Sequence, residues 1–338
     1  MAFDPARYPA APDVPLVARG TGWPTSDPLF KTSYHIHART APAPPICGKH
    51  LTGEVYTHDL AENSALPLNI GNQHPMRIAT WNVNSIRQRM ENLRAWLQER
   101  QPDVVCLQET KITDDAFPRS EIEDLGYNLA VHGQKTFNGV ALLSKYPFET
   151  VTNGLPGDPT DDHARFIEAV VSHPAGTVRV ASIYLPNGNP VASDKYPYKM
   201  NWMDRLYHYV SERLKLEEDL VLAGDYNVIP APDDVHDPAA WAEDALFRPP
   251  TREKFRALTH LGLTDAIRAA SDAKGLYTFW DYQAGAWQKN NGIRIDHLLL
   301  SPRAADRLSA AGIDKYVRNW EKPSDHVPVW IDLDIVTR

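Results

Sequence analysis

From Met76 onward the chain alternates short apolar runs with longer amphipathic stretches. RIATWNV, DVVCLQE, GVALLS, FIEAVVS, VRVASIYLP, LVLAGDYN, IDHLLLS and VWIDLDI each carry the aliphatic and β-branched residues of a buried strand. Between Ile86 and Arg100, the residues Ile86, Met90, Leu93 and Leu97 recur at the three- and four-residue spacing of one helix face. Ser85 is placed to cap that helix, and Pro102 lies beyond its end. A second helix is expected over about Pro197 to Glu217, with Met203, Leu206, Tyr207, Val210 and Leu214 turned to the core. Strands outnumber helices and several follow one another directly, which a repeated strand–helix–strand unit does not produce. Two packed sheets with helices outside fit the pattern better.

Several apolar runs end abruptly in polar residues. LVLAGDYNVIP turns from Leu220–Ala223 to Gly224, Asp225 and Asn227. Side chains alternate along a strand, so Asp225 and Asn227 are expected on one face of its end. Asn82 and Asn84 close TWNVN at the same spacing, and Glu109 closes VVCLQE. Tyr184 and Asn187 end SIYLPN, Asp296 stands inside GIRIDHLLL, and Asp325 and His326 precede the last strand in PSDHVPVWIDL. A single strand-end Asp or Asn is ordinarily a turn former bonded to its own backbone. Six such ends in one region argue for convergence on one rim. Carboxylates buried together are costly unless they are paired or hold a metal.

The residue types then limit the chemistry. Glu109, Asp325 and the amides are hard oxygen donors that suit Mg²⁺ or Mn²⁺, whereas zinc calls for more His or Cys. One imidazole with a strand-borne carboxylate suggests a histidine oriented by an acid. Tyr, Asn and His donors around a divalent cation make a cradle for a phosphoryl group, which points to metal-assisted hydrolysis of a phosphodiester or phosphomonoester. A serine hydrolase does not fit: there is no G-x-S-x-G elbow, and Ser324 adjoins Asp325 directly.

Composition narrows the setting. The chain has 338 residues, 43% of them hydrophobic, enough for a large core. A net charge of -8 argues against nonspecific coating of nucleic acid but leaves room for a basic binding edge. Cys47 and Cys106 alone are no disulfide framework, so a reducing, cytoplasmic setting is expected. No apolar run reaches the roughly 18 residues of a membrane helix, and none resembles a signal h-region, so no membrane partner is expected. Residues 1–75 hold 11 of the 28 prolines and no sustained period. They are expected to form an irregular or disordered extension ahead of a catalytic domain over 76–338. YHIH, Tyr34 to His37, reads as ordinary loop histidines for want of further ligands.

In their order and spacing, WNVNSIR, LQETK, GVALLS, YLPNGN, GDYNV, YTFWDY, NGIRIDHLL and SDHVPV resemble the exonuclease III family of abasic-site DNA endonucleases. That family lies within the endonuclease/exonuclease/phosphatase superfamily, across which GDYN and SDH are shared. WNVNSIR, LQETK and WDY followed by RIDHLL narrow the resemblance to the DNA-repair branch, and it runs from Met76 to Leu333. It implies an α+β fold, a four-layered α/β sandwich of two packed mixed β-sheets flanked by helices. It implies hydrolysis of the phosphodiester 5′ to abasic sites in duplex DNA, with 3′–5′ exonuclease and 3′-phosphatase trimming. The implied cofactor is Mg²⁺, with Mn²⁺ as the alternative. The implied partner is double-stranded DNA with abasic sites or blocked 3′ ends, bound by a monomer.

Carried over by position, the resemblance makes Glu109 the principal metal ligand, with Asn82, Asn84, Asp225, Asn227 and Asp325 at the same site. It gives Asp225 the attacking water to position and deprotonate, and Asn227 and Tyr184 the scissile phosphate to contact. His326, oriented by Asp296, is to stabilise the charge that develops there, and Asn187 is to contact DNA or phosphate. Phe279, Ile293 and Ile295, backed by Trp280, are to line a pocket for a base-less sugar, which leaves the stack cheaply where an intact nucleotide does not fit. The family often has an aspartate where Asn84 stands, which changes the count of charged ligands. A phosphatase acting on a small molecule or lipid headgroup is the alternative within the same fold. A catalytically dead scaffold is a third reading, against which intact LQE, GDYN and SDH stand. Lys135, Lys195, Lys199, Lys289 and Arg294 are further candidate phosphate contacts, with Arg294 open to a structural role.

Overall fold

A strand covered on both faces needs aliphatic side chains on both, and the apolar runs after residue 75 supply them. A computed structural model describes Leu16–Val17 and residues 75–335, which belong to one unit. The first sheet runs in the order β1 (Leu16–Val17), β12 (Leu308–Ile313), β13 (Val329–Leu333), β2 (Met76–Asn82), β3 (Val104–Gln108), β5 (Val140–Ser144) and β4 (Asn128–His132). The second runs β10 (Thr264–Asp265), β11 (Asp296–Leu300), β9 (Leu220–Asp225), β8 (Gly176–Tyr184), β7 (Phe166–His173) and β6 (Phe148–Asn153). Each sheet has one parallel pair, β2 with β3 and β8 with β9, and every other pairing is antiparallel.

Register carries the polar ends to matching places. Across the second sheet Tyr184 pairs with Asp225, which pairs with Asp296. In the first, Asn82 pairs with Gln108, the residue before Glu109.

Alternation divides the strand side chains between two layers of core. Ile78, Val104, Cys106 and Leu142 face Val180, Val221, Ala223 and Leu298 between the sheets. Their neighbours Ala79, Trp81, Val105 and Leu107 face outward onto helix α1 (Ile86–Arg100), through Ile86, Met90, Leu93, Trp96 and Leu97, and the short α2 (Arg119–Glu123) adds Ile122 to this layer. On the far side, Ile183, Leu220 and Leu222 meet α3 (Lys195–Leu214) and α4 (Pro249–Thr259) through Trp202, Leu206, Val210 and Phe255. Fully burying each such side chain stabilises the fold by about 1.5–3 kcal/mol. The expected four layers are present. Cys106 lies in the central layer, where burial pushes its thiol pKa up.

Some details differ from expectation. Ser85 precedes α1 at φ 83° and makes no side-chain cap. The Ile86 N–H instead donates to the Thr110 carbonyl at 3.2 Å, so the chain beside Glu109 takes over the capping role. Helix α3 begins at Lys195 and ends at Leu214, and Trp202 and Tyr209 take the core positions that Tyr207 does not fill. The expected irregular extension lies outside the described residues except at Leu16–Val17, which pairs antiparallel with Ala311 and Ala310. Tyr34 to His37 also lie outside them. No helix of the described residues is long and apolar enough to cross a membrane.

Candidate active site

Both parallel pairs end in the same kind of turn. Asn82 Oδ1 accepts from the Asn84 backbone N–H at 3.0 Å, and Asp225 Oδ1 accepts from the Asn227 backbone N–H at 2.9 Å. Asn84 and Asn227 have φ of 43° and 47°, a left-handed conformation that asparagine tolerates better than most residues. The strand alternation expected to align these pairs therefore stops at Asn82 and Asp225. A side-chain bond to the backbone two residues on turns the chain back instead. Glu109 leaves β3 at φ 50°, so it too is held in a costly backbone conformation.

A buried amide joins the two sheets. Asn82 Nδ2 donates to Glu109 Oε1 at 2.8 Å and to Asp225 Oδ2 at 2.9 Å. The Asn82 oxygen accepts from the Asn84 N–H, and its amide N–H groups are the part that faces the two carboxylates. One ligand atom from each of Glu109, Asp225 and His326 lies within 4.8 Å of the others, a grouping able to hold a metal ion. Lys111 Nζ stands beside it, 2.8 Å from Glu109 Oε2 and 2.5 Å from Asn84 Oδ1. Asp325 joins through Asn84, whose Nδ2 donates to Asp325 Oδ1 at 3.0 Å, and is not one of the three clustered residues.

His326 Nδ1 lies 2.9 Å from Asp296 Oδ2, and its Nε2 lies 3.7 Å from Asp225 Oδ2. Thr278 Oγ1 donates to Asp296 Oδ2 at 2.6 Å and so fixes the orienting carboxylate. Burial opposes a charged imidazole, but Asp296 and Asp225 outweigh it and raise the His326 pKa to about 10. Asp225 is raised well above the usual carboxylate range, by burial against the pull of His326 and with the push of Asp296 and Glu109. At Glu109 burial again opposes the charge, yet Lys111 and the Asn82 amide prevail and lower its pKa. Burial and the Glu109 charge hold Tyr184 as a phenol, while the Arg165 guanidinium, 4.7 Å over its ring, works the other way. Two carboxylates bridged by one amide are thus driven in opposite directions, a division that suits separate proton-transfer and charge-holding roles.

Asn187 is exposed, and its Nδ2 donates to Asn227 Oδ1 at 2.9 Å. Asn227 Nδ2 donates to the Leu185 carbonyl at 2.9 Å, so both ends of this amide are engaged within the protein. Ile293 and Ile295 are 1% and 2% exposed and pack with Ile229, Val235, Leu246 and Phe247, while Trp280 is buried against Trp287. Of the expected pocket wall only Phe279 is partly exposed, its ring edge-on to His326 at a centroid distance of 4.9 Å. Lys135, Lys195 and Lys289 are exposed. Arg294 is buried on Asp234 and Asp265, and Lys199 is buried with its Nζ on main-chain carbonyls, so neither is a surface phosphate contact. Thr278, Lys111 and Arg165 were not singled out by sequence reasoning. The first two stand inside YTFWDY and LQETK, where residue type alone does not mark them.

Buried acids, a phenol and an acid-held imidazole on one rim are the equipment of phosphoester hydrolysis. Residues 79–326 match the endonuclease/exonuclease/phosphatase family. The chain is 34% identical over 266 residues to exodeoxyribonuclease III of Haemophilus influenzae, across 76% of this chain and all of that protein. Its fold is similar to that of an AP endonuclease from Archaeoglobus fulgidus, at 37% identity and a TM-score of 0.73 over 77% of this chain and 100% of the other. It is equally similar to a 3′ phosphatase from Neisseria solved with a product DNA hairpin, at 38% identity and a TM-score of 0.73 over 77% of this chain and 99% of the other. The chain belongs to the endonuclease/exonuclease/phosphatase family and, within it, to the exonuclease III branch.

Proposed function

We propose that this chain hydrolyses the phosphodiester 5′ to abasic sites in duplex DNA, leaving a 3′ hydroxyl, and trims blocked 3′ ends, with residues 76–338 as the catalytic domain. The observation that carries this reading is the Asn82 amide shared between the half-buried Glu109 and the buried Asp225, which holds two carboxylates together beside an acid-bound imidazole. The activities named for the relatives, an exodeoxyribonuclease, an AP endonuclease and a 3′ phosphatase on DNA, support it. It needs no membrane partner and no second copy of the chain.

The donors fit Mg²⁺ or Mn²⁺. They are acidic and oxygen-rich, and the one histidine among them is tied to Asp296. Glu109 and Asp225 would hold the ion, with Asn82 ordering them and Asn84, Asn227 and Asp325 close by. A divalent cation there supplies charge stabilisation at the phosphate oxygens. Asp225 positions the attacking water and accepts its proton. His326, kept charged by Asp296, and Tyr184, kept a phenol, donate to phosphate oxygens as their charge grows. Asn187 and Asn227 orient the scissile phosphate, and Phe279 faces the base-less sugar. Exposed Lys135, Lys195 and Lys289 contact flanking backbone phosphates.

The test is a duplex carrying one abasic analogue beside a matched intact duplex, with Mg²⁺ and with chelator. One cut 5′ to the lesion, lost with chelator and far slower on the intact duplex, is expected. Equal cutting of both duplexes, or hydrolysis of small phosphomonoesters alone, overturns the reading.

A further inference from the structure

We infer that Lys199 is a positioning residue for this reaction: its buried ammonium ties the loop after β8 to the turn after β9 and so sets Asn187 and Asn227 against Asp225. The inference rests on the function proposed above.

Lys199 lies in the first turns of α3 and is 0% exposed. Its Nζ donates to the Asn187 carbonyl at 3.0 Å and to the Asn227 carbonyl at 2.6 Å. Both hydrogen bonds go to main chain, with no carboxylate among these partners. Burying an amine in that way is costly: burial brings its pKa down to about 7 against the pull of the Asp225 and Asp244 charges, and an apolar side chain of equal length would fill the same space for less. What the ammonium does that an apolar chain cannot is bind two carbonyls from two different loops.

Those loops carry the candidate phosphate contacts. Asn227 gives its N–H to Asp225, receives Asn187 on its Oδ1 and gives its Nδ2 to Leu185, partners that all belong to β8, β9 and the loops that follow them. The fourth polar group of Asn227, its carbonyl, is held by Lys199 from a helix in the outer layer. The tie bears on a residue at φ 47°, a conformation that persists only while its surroundings enforce it. Gly188, at φ 90°, is shaped to receive the lysine: a Cβ there would stand 2.7 Å from Lys199 Cδ. Helix α3 is anchored separately by Trp202, Leu206 and Val210, so the loops can shift without the helix detaching.

The test compares the full chain with Lys199→Met, which keeps the length and loses the donor, and Lys199→Gln, which keeps a shorter neutral donor. Steady-state cleavage of an abasic duplex is measured with the melting midpoint and the amide exchange of Asn227. Misplacement of reacting groups by about 1 Å can cost about 100-fold in rate. The Met variant is therefore expected to lose about that factor in kcat with KM within about threefold, and the Gln variant to lose less. The Asn227 amide should exchange about tenfold faster in the Met variant, while Val221 within β9 stays protected. Equal losses in both variants, a loss confined to KM, or an unchanged kcat in a folded Met variant overturns the inference. Should the Met variant not fold, the Gln variant is compared with the unmutated chain by the same criteria. An unmutated chain that leaves abasic DNA intact overturns the functional reading instead, and the exchange of Asn227 then decides the tie alone.

Discussion

Asp296 holds His326 from behind: Oδ2 of the acid lies 2.9 Å from Nδ1 of the ring, and the free Nε2 faces Asp225 at 3.7 Å. The acid is itself held by Thr278, so an amide at 296 keeps its place while losing its charge. His326→Ala should lower kcat by about 100-fold or more, as loss of a donor to developing charge does. Asp296→Asn should cost less, and the double variant should be no worse than His326→Ala alone, because the two act as one unit. Additive losses in kcat would mean that the ring works without the acid.

The same pair makes metal-free stability depend on pH. His326 has a folded pKa of about 10, raised above an unfolded value of about 6.5, so it binds its proton more tightly when folded. Its stabilisation is full below the unfolded pKa and is lost as pH climbs through the folded one. Asp225 is raised as well, so its contribution falls in the same direction, beginning lower in pH. In chelator the unfolding free energy should fall between about pH 6.5 and 10, by at most about 1.4 kcal/mol per pH unit for one proton, and the melting midpoint should fall with it. His326→Gln should flatten that slope. A profile that is level, or that rises with pH, counts against a charged His326 in the fold.

Glu109→Gln should leave the fold intact and remove most activity. The neutral amide is a weak partner for a hard cation, and Lys111 loses the charge it pairs with. Since removing even an outer partner of a metal site costs about 10–100-fold, a direct carboxylate should cost at least about 100-fold in kcat. Calorimetry with Mn²⁺ should show weaker binding. Near-normal cleavage in Mg²⁺ would remove Glu109 from the metal site.

A chain of residues 76–338 should fold and cut abasic DNA. The Haemophilus influenzae relative aligns over its whole length with 76% of this chain, and the family match begins at residue 79. Among the described residues, what truncation removes is the pairing of Leu16–Val17 with β12. That leaves β12 as a bare edge strand, so a slightly lower melting midpoint is expected with kcat unchanged. An inactive or insoluble product would show that the extension does more than cover an edge.

The strands legible in the sequence were those with unbroken aliphatic runs, such as Val104–Gln108 and Leu220–Asp225. β6, FETVTN, and β12, LSAAGI, went unread because one is mostly exposed and the other has few large apolar side chains. Within the site, Asp225, Asn227 and His326 stood out because each interrupts or closes an apolar run. Lys199 reads from the sequence as a surface phosphate contact, since a lysine in an amphipathic helix looks like a solvated charge until the loops that cover it are in place. The turns at Asn82 and Asp225 were misread as continuing strand because a spacing of two also fits a side chain that bonds the backbone two residues on.

Selectivity for abasic sites should rest first on Phe279. Ile293 is 1% exposed and packed with Val235 and Phe247, so a flipped sugar meets it only through what it supports. Phe279 is partly exposed and stands edge-on to His326, where a sugar beside the scissile phosphate would sit. Ile293→Ala opens a hole in a closed cluster and should cost about 2–5 kcal/mol of stability. It should relax discrimination mildly, as its neighbours slump into the hole. Phe279→Ala removes the exposed wall itself and should cost little stability. Apolar contacts at a specificity pocket are worth about 1–3 kcal/mol, so the preference for abasic over intact duplex should fall about tenfold or more in this variant. Cutting at abasic sites should slow less than the preference falls, because the phosphate contacts remain. The measurement is competition between two duplexes that differ only in one base, run beside melting curves for both variants. If Phe279→Ala keeps the full preference while Ile293→Ala loses it, the wall that meets the sugar is the buried cluster, and the role given to Phe279 is wrong.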